Sequence, residues 1–238
     1  MIKLENYEVV GWEHAIRGMR NPMNSWAKSD SEFDRDPDYG CSGTCPCEDM
    51  GDTCDQCFIG PNDHDLMMRL AKAGPVHGKF RRMITVYVDI TAPLYWWKEF
   101  DTYKVGTVAN SCSTMHKIHA KEFILDDFST EHLEHGYLNV FRNTIQMLNL
   151  ARDKYLEIVN HGRASGKTEF QAELAKHYWW QMIQLLPSSY NQKRTVQLNY
   201  EVLANIYEYR KNHKLDEWVE FCKWIESLPY SEIITGGA

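Results

Sequence analysis

The sequence lacks three features that would each indicate a particular class of protein. No apolar run approaches the roughly 20 residues needed to span a bilayer. The N-terminal stretch MIKLENYEVV contains acidic residues and lacks the apolar core of a signal peptide. Basic residues are not in excess, since the formal net charge is -7, and this argues against binding to a nucleic-acid polymer. We therefore expect a cytoplasmic protein with neither a membrane nor a nucleic-acid polymer as its partner.

The chain shows no internal repeat and no low-complexity tract, and its 238 residues are enough to bury a sizeable core. Eight Trp and thirteen Tyr are the one unusual feature of its composition. Residues 21–63 differ from the rest, because they are acidic, rich in Gly, Pro, Ser and Asp, and poor in aliphatic residues. We predict one domain over residues 1–238, with 21–63 as a polar insertion.

Five of the seven cysteines fall inside this insertion, in the pattern C-x3-C-x-C-x6-C-x2-C. They are Cys41, Cys45, Cys47, Cys54 and Cys57. Four thiolates can hold a structural zinc ion in tetrahedral geometry, and a Cys-x-x-Cys pair is a common half of such a site. In a reducing compartment the cluster favours zinc, while unbound thiols and disulfides stay open as alternatives.

Strand patterns come early in the chain and helix patterns come late, so we predict the α+β class. The clearest strand is RMITVYVDI, in which apolar and other residues alternate from Met83 to Ile90. Helical spacing begins near residue 137 and returns in a second helix, where Thr168 and Gln171 could form a capping box. A third helix is expected from about Arg194 to Arg210. A final helix carries apolar residues at core spacing, namely Trp218, Phe221, Cys222 and Ile225.

The stretch TYKVGTVANSCSTMHKIH, residues 102–119, collects small hydroxylated residues directly after the most hydrophobic strand. An ordinary loop of this length usually carries Pro or several Gly, whereas this one has only Gly106. We interpret it as a surface that forms hydrogen bonds to a ligand.

The stretch LPSSYNQKRTVQLNYEVLANIYEYR, residues 186–210, resembles the C-terminal part of the flavin-dependent thymidylate synthases, the ThyX family. In that family a Pro-led turn, a basic residue, two Asn and an Arg follow one another at fixed spacing. The matching residues here are Pro187, Lys193, Asn199, Asn205 and Arg210. Upstream, ITAPLYWWKEF and NSCSTMH are similar to the strand and loop that carry the family signature RHRxxSxNxxSxRY.

The sequence departs from that family in the signature itself. When Asn110 is placed on the signature Asn, Ser113 falls on its second Ser, but Met115 and His116 replace the Arg-Tyr pair. The Arg-His-Arg part is also replaced, and Lys104 is the cation left in its vicinity. The arginines that grip flavin and phosphate in the family are therefore missing.

The resemblance implies a ThyX-like antiparallel sheet with packed helices, a homotetramer, and sites for FAD and dUMP. With the signature degraded, we expect a nucleotide-binding protein without standard turnover, which would sequester or sense a nucleotide. The alternative is a divergent flavin-dependent enzyme that methylates a pyrimidine nucleotide such as dUMP reductively, with the flavin carrying the hydride.

The residues matched to the family are the predicted site. Those assigned to the nucleotide are Lys104, Asn110, Ser113, Lys193, Arg194 and Arg210. Those assigned to the cofactor are His77, Asn199 and Asn205. For Arg210 the competing interpretation is an arginine that extends to the surface, and for Lys193 and Arg194 it is two solvated charges. No residue is assigned to catalysis.

Overall fold

The computed structural model of the chain describes residues 2–33, 57–166 and 168–236. Helices and an antiparallel sheet confirm the predicted α+β class. The strands are β1 (Lys3–Val10), β2 (Glu32–Phe33), β3 (Cys57–Phe58), β4 (Thr85–Pro93), β5 (Val108–Ser111) and β6 (Asn191–Asn199). The helices are α1 (Trp12–Arg20), α2 (Pro61–Lys72), α3 (Leu94–Phe100), α4 (His135–Ser165), α5 (Glu169–Leu185), α6 (Tyr200–Arg210), α7 (Asp216–Glu226) and α8 (Glu232–Thr235).

Four of the strands form one sheet in the order β1-β4-β6-β5, and β2 pairs with β3 in a separate antiparallel ribbon. The alternation predicted for β4 is confirmed. The residues on the buried face are at most 1% exposed, and they are Ile84 just before the strand and Val86, Val88 and Ile90 within it. Tyr87, which lies between two of them, is 40% exposed, because successive side chains of a strand point to opposite faces.

The predicted start of the third helix is wrong. Asn191–Asn199 form the strand β6, and the helix α6 begins only at Tyr200. Alternate residues at this junction are completely buried, namely Val196, Leu198 and Tyr200. A period of two is the signature of a strand. Lys193 and Arg194 therefore lie within a strand and are not the residues directly before the first turn of a helix.

Contacts within the chain divide it into two compact units. Unit 1 comprises Met1–Lys3, Thr91–Thr102 and Asn110–Arg194. Unit 2 comprises Leu4–Ile90, Tyr103–Ala109 and Thr195–Ala238.

Unit 1 is built on α4 and α5, which pack against each other. Its buried core consists of Ile118, Phe123, Phe128, Ile145, Leu148, Ala151 and Met182. The capping box of Thr168 and Gln171 is confirmed at the start of α5. Phe170, whose spacing in the sequence would suit the apolar stripe of this helix, is 72% exposed. Although α4 has 31 residues, no helix in the described part of the chain combines the length and apolar character needed to cross a membrane.

Unit 2 packs α6 against α7, α8 and the short 3-10 helix Gly78–Met83. The core spacing predicted for α7 is confirmed, since the four residues at that spacing are at most 3% exposed: Trp218, Phe221, Cys222 and Ile225. Trp12 of α1 packs edge-on against the rings of Tyr200 and Tyr230, each at a centroid distance of 5.3 Å. Through these aromatic contacts, the first residue of α6 and the segment just before α8 pack against the same residue of α1.

The polar insertion predicted at 21–63 is described at its two ends. Cys41, Cys45, Cys47 and Cys54 lie outside the described residues, and Cys57 lies half-buried in β3. Among the residues that the structure describes, no group of three or more His, Cys, Asp or Glu is placed to hold a metal ion. The zinc site and the insertion as a whole therefore stay predictions.

Asp63 joins the two described ends of this insertion and is completely buried. Its Oδ1 accepts a hydrogen bond from Arg20 Nε at 2.5 Å. Its Oδ2 accepts hydrogen bonds from the hydroxyls of Ser29 and Ser31, both at 2.7 Å. The carboxylate of Asp30 accepts the backbone N–H of Asp63 in return, at 3.0 Å. A buried carboxylate thus has both a cation and a full set of donors, which is what its burial requires.

Candidate functional site

The start of α6 is capped by Asn199. Its Oδ1 accepts hydrogen bonds from the backbone N–H groups of Glu201 at 3.1 Å and Val202 at 3.0 Å, and these are donors that a helix N-terminus otherwise leaves open. Gly106 lies against this cap with φ 77°, and a Cβ there would come within 2.7 Å of Asn199 Nδ2. The Asn199 oxygen is therefore used by its own helix, and the predicted cofactor contact remains untested.

The other end of α6 carries Arg210, which is half-buried. Its Nε donates a hydrogen bond to Tyr103 Oη at 3.0 Å. Its guanidinium carbon lies 4.7 Å from the ring centroid of Trp218 and 5.8 Å from that of Tyr103. Contact with two aromatic rings restricts the plane of the guanidinium. Arg210 is therefore a cation held in place by α7 and by the loop before β5, which differs from an arginine extended into water.

The remaining predicted residues of unit 2 are exposed. Lys104 directly follows Tyr103, so one backbone step separates it from the residue that holds Arg210. His77 precedes the 3-10 helix Gly78–Met83, and Asn205 lies on the exposed side of α6. These side chains are accessible to a ligand.

In unit 1, the segment after β5 turns at Ser113. The Ser113 Oγ accepts hydrogen bonds from the backbone N–H groups of Met115 at 3.2 Å and His116 at 2.9 Å, as serine commonly does in a tight turn. A hydroxyl can also donate its own proton, so Ser113 can form a hydrogen bond to a ligand while it holds the turn. Asn110 is exposed in β5.

Arg194 is engaged by three neighbours. Its Nη1 lies 2.7 Å from Asp101 Oδ1, and its Nε donates a hydrogen bond to Gln192 Oε1 at 3.0 Å. Its guanidinium carbon lies 4.1 Å from the ring centroid of Trp97, and its side chain is 15% exposed. These contacts give Arg194 a role in holding its own chain, and the predicted nucleotide contact stays a prediction.

Gln192 connects Arg194 to the segment after β5. It is 7% exposed, and its Nε2 donates a hydrogen bond to the Cys112 carbonyl at 2.8 Å. Because Arg194 donates to the Gln192 oxygen, the amide nitrogen is the end that faces Cys112. The backbone N–H of Cys112 donates in turn to the Lys193 carbonyl at 2.9 Å. The position of this segment along β6 is therefore fixed by a buried side chain as well as by the backbone.

Lys193 and Arg194 are neighbours on β6, so their side chains leave the sheet on opposite faces. The two cations therefore cannot approach one phosphate from the same face of the sheet. The predicted helix start near Arg194 would have allowed both to do so. The predicted residues that unit 1 contains are Asn110, Ser113, Lys193 and Arg194. Those that unit 2 contains are His77, Lys104, Asn199, Asn205 and Arg210.

The sequence interpretation missed three residues that position the predicted ones. Gln192 had a usable signal, because it begins the alternation that continues through Val196 and Leu198. Tyr103 lies in the stretch that replaces the Arg-His-Arg of the signature, and its hydrogen bond with Arg210 joins residues 107 positions apart. Trp218 was assigned to the core, which is correct, but one face of its ring also contacts Arg210.

The described side chains at the predicted positions offer hydrogen bonding and, at the lysines and arginines, positive charge. Burial, reinforced by the charge of Glu226, raises the pKa of the Cys222 thiol to about 12, so this cysteine remains protonated near pH 7 and is not an activated nucleophile. In unit 2 the half-buried Arg210 offers a positive charge, and in unit 1 the Ser113 hydroxyl offers a hydrogen-bond donor.

No family model matches the sequence, and no curated protein matches it either. The fold does match solved structures. The crystal structure of thymidylate synthase X (ThyX) from Helicobacter pylori with FAD and dUMP gives a TM-score of 0.58 at 15% identity, covering 99% of this chain and 97% of that chain. The UMP/dUMP methylase PolB from Streptomyces cacaoi, bound with 5-Br dUMP, gives a TM-score of 0.54 at 12% identity, covering 99% and 95%. At such identities the likeness shows the fold alone, and the ThyX-like fold is confirmed.

Proposed function

We propose that this chain binds a pyrimidine nucleotide and does not carry out standard thymidylate synthase turnover. The observation that carries the proposal is Arg210, a half-buried cation held by Tyr103 and Trp218 in a fold whose solved examples contain dUMP or its 5-bromo analogue. Arginine can bind a phosphate or a carbonyl edge through two parallel hydrogen bonds. Binding without turnover would suit a protein that sequesters or senses a nucleotide.

A divergent place in the ThyX family is part of this proposal. Two observations support it. One is the fold, and the other is the spacing of the basic residue, the two Asn and the Arg in the C-terminal block. The signature is largely degraded, since Met115 and His116 stand where the family has Arg-Tyr, and Lys104 is the cation that remains. Each charge-assisted phosphate contact that is lost removes roughly 1.5–3 kcal/mol of binding free energy. Two or three such losses are enough to abolish the ordinary affinity for substrate and cofactor, unless Lys104, Lys193 and Arg194 compensate for them.

We also propose nucleotide contacts within each unit taken by itself. In unit 2 the further contact is the exposed Lys104. In unit 1 the contacts are the exposed Asn110 and the partly exposed Ser113, Lys193 and Arg194. Each supplies a positive charge or a hydrogen-bonding group of the kind that phosphate oxygens and pyrimidine edges pair with.

Flavin binding belongs to the alternative, a divergent enzyme that methylates a pyrimidine nucleotide. FAD would supply the hydride there, and the H. pylori structures contain FAD. The residues assigned to flavin fit it incompletely. The Asn199 oxygen caps α6, and the other two residues, His77 and Asn205, are exposed polar side chains. We therefore place nucleotide binding first.

Mass spectrometry of small molecules released from the purified protein tests the proposal. We expect a pyrimidine nucleotide in amounts approaching one per chain, without a yellow chromophore. In a second arm, protein supplied with dUMP, FAD, NADPH and methylene tetrahydrofolate should form dTMP no faster than a protein-free control. Bound flavin together with robust dTMP formation would establish the enzyme instead, and the absence of any nucleotide affinity would reject both.

Self-association to a homotetramer is also proposed, on the basis of the ThyX resemblance and an exposed apolar face of α4. The large apolar side chains of this face are 51–69% exposed, and they are Tyr137, Val140, Met147 and Leu150. Clustered exposed hydrophobic residues of this kind often mark an interface.

We also propose that the cluster of five cysteines holds one structural zinc ion per chain.

For the proposed homotetramer, light scattering should give a mass of several chains, above the 27.9 kDa of a monomer. Replacing Val140 and Met147 together with glutamate should shift the mass toward one chain, because charges are depleted from interface cores. Arg142→Glu, an exposed change on another side of α4, is the control and should leave the mass unaltered. A wild-type protein that is monomeric at micromolar concentration contradicts the tetramer.

A further inference from the structure

Unit 2 contains two arginines that are more than nine-tenths buried, and they differ in what surrounds them. Arg20 is 4% exposed and has the Asp63 carboxylate at 2.5 Å, together with the Ser25 carbonyl at 3.3 Å and hydroxyl at 3.4 Å. Arg81 is 6% exposed. Within residues 2–33, 57–166 and 168–236, no carboxylate lies within 4.0 Å of its guanidinium nitrogens. Arg81 is thus a buried cation without a direct counter-ion in the described chain.

The donors of Arg81 are also poorly used. Its Nε is fully buried and has no hydrogen-bond partner in the described chain. Its Nη1 donates to the Ile233 carbonyl at 3.4 Å, which is long for a hydrogen bond. A guanidinium has five N–H donors, so most of its capacity is available to a bound group. The guanidinium packs over Gly78, where an added Cβ would lie 3.2–3.4 Å from Nη2, Nε and Cζ.

Glu201, whose charge acts on Arg81, is already paired with another arginine. The two carboxylate oxygens of Glu201 accept hydrogen bonds from Nε and Nη2 of the exposed Arg82. Burial lowers the pKa of Arg81, while the charge of Glu201 acts in the opposite direction, and an arginine side chain remains protonated in a protein. Glu201 is thus engaged by Arg82 and forms no direct ion pair with Arg81.

A buried charge is unfavourable unless an opposite charge and hydrogen bonds accompany it. We propose that Arg81 anchors a binding site for a small oxyanion, such as a phosphate or a carboxylate group. Its planar set of donors matches two oxygens of such a group, and a charge-assisted pair of this geometry is among the strongest polar contacts in proteins. The inference is independent of the proposed nucleotide site at Arg210.

Thermal unfolding with inorganic phosphate tests this site, in a zwitterionic buffer with sodium chloride keeping the ionic strength constant. The melting temperature of the wild type should rise by roughly 3–10 °C once phosphate exceeds its Kd ten- to a hundredfold. Arg81→Met should be as stable as the wild type or more stable without phosphate, because the uncompensated charge is gone. It should show no rise when phosphate is added.

Two further variants decide the outcome if Arg81→Met does not fold. Arg81→Lys keeps the charge but loses the planar donors, so the same rise should need about tenfold more phosphate. Lys79→Met removes an exposed cation from the same 3-10 helix, and its response should match that of the wild type. The proposal is overturned by a wild type that does not respond, by an equal response in the Arg81 variants, or by a response that Lys79→Met loses equally.

The anion could be free phosphate or the phosphate of a nucleotide, and a second pair of titrations separates these sources. A rise with dUMP at lower concentration than with phosphate, lost in Arg81→Met and absent with deoxyuridine, assigns the site to a nucleotide phosphate. Equal effective concentrations of dUMP and phosphate assign it to the free anion. If Arg210→Ala abolishes dUMP binding while the phosphate response persists, the two sites are separate.

Discussion

Replacing Arg210 with alanine should weaken the binding of dUMP about ten- to a hundredfold and leave the chain folded. A charge-assisted hydrogen bond to a ligand contributes roughly 1.5–3 kcal/mol, and each 1.4 kcal/mol is a factor of ten in Kd. Isothermal titration calorimetry measures the difference directly. The fold should persist because the buried face of α6 remains, with Leu203 and Ile206 both fully buried.

The partners of Arg210 allow a graded version of this experiment. Arg210→Lys should restore little affinity, since lysine supplies a single point charge. Tyr103→Phe removes only the hydroxyl that accepts from Arg210 Nε, so the guanidinium stays near Trp218 but is less constrained. This variant should lose a few-fold in affinity, well short of the loss in Arg210→Ala.

Lys211 offers a matched control for the loss of charge. It immediately follows Arg210, and its ammonium group lies 5.4 Å from the ring centroid of Tyr207. Lys211→Ala removes one positive charge from the same end of α6, but no proposed ligand contact. Its affinity for dUMP should remain within about twofold of wild type, as expected for a screened, exposed charge. If wild type and Arg210→Ala bind dUMP equally and both are folded, the nucleotide site lies elsewhere.

The largest effect on stability should come from Asp63→Ala. This change leaves Arg20 buried without its carboxylate, and it removes the acceptor of the Ser29 and Ser31 hydroxyls. Breaking a buried, hydrogen-bonded ion pair by removing one partner costs about 3–5 kcal/mol of unfolding free energy. For a chain of this size the melting temperature should then fall by roughly 6–20 °C, which calorimetry or circular dichroism can follow.

Two companion variants show whether the effect comes from the unpaired charge. Arg20→Met combined with Asp63→Leu removes both charges and should recover much of the loss. Asp65→Asn changes an acid in the same helix, but its ion pair with Arg69 is exposed, with both side chains 67% accessible, so the melting temperature should hardly move. A small shift in Asp63→Ala would show that the buried network does not hold this part of unit 2.

Asp63 also predicts a dependence of stability on pH. Burial raises the pKa of Asp63, but hydrogen bonds from Ser29, Ser31 and Arg20 outweigh burial and lower the pKa below its ordinary 3.8. The unfolded chain therefore binds this proton more tightly than the folded chain does. The stabilisation is complete well above pH 3.8 and is lost as the pH falls through the lower folded value. Below that range the wild type and Asp63→Asn should converge in stability.

The elements with a strict hydrophobic period could be predicted from the sequence. β4 alternates over its whole length, and α7 carries its apolar residues at the spacing of one helix face, so local pattern alone determined both. β6 was misread because the predicted third helix was extended backward to about Arg194, over a stretch whose period is two. A short strand that continues directly into a helix contains both periods, and the boundary between them depends on tertiary pairing.

The site was less predictable than the fold because its contacts join distant parts of the chain. Arg210 was assigned from its spacing, but nothing local indicates that Tyr103 accepts its hydrogen bond. Asp63 lies in a stretch interpreted as a polar excursion, yet it is completely buried, because its partner Arg20 is 43 residues away. Composition indicates the average exposure of a segment, whereas the burial of a single charged residue depends on whether a distant partner reaches it.

The conformation of the segment after β5, residues 112–119, is held by hydrogen bonds from other elements. Gln192, Trp179 and Arg152 donate hydrogen bonds to its Cys112, Met115 and His119 carbonyls. These donors belong to β6, α5 and α4, so the conformation of the segment is encoded mainly in parts of the chain that follow it. Because these hydrogen bonds go to backbone carbonyls, the segment needs no periodic pattern of side chains to keep its conformation. Transplanted alone into another scaffold, the same residues would leave these three donors behind and lose the shape that they have here.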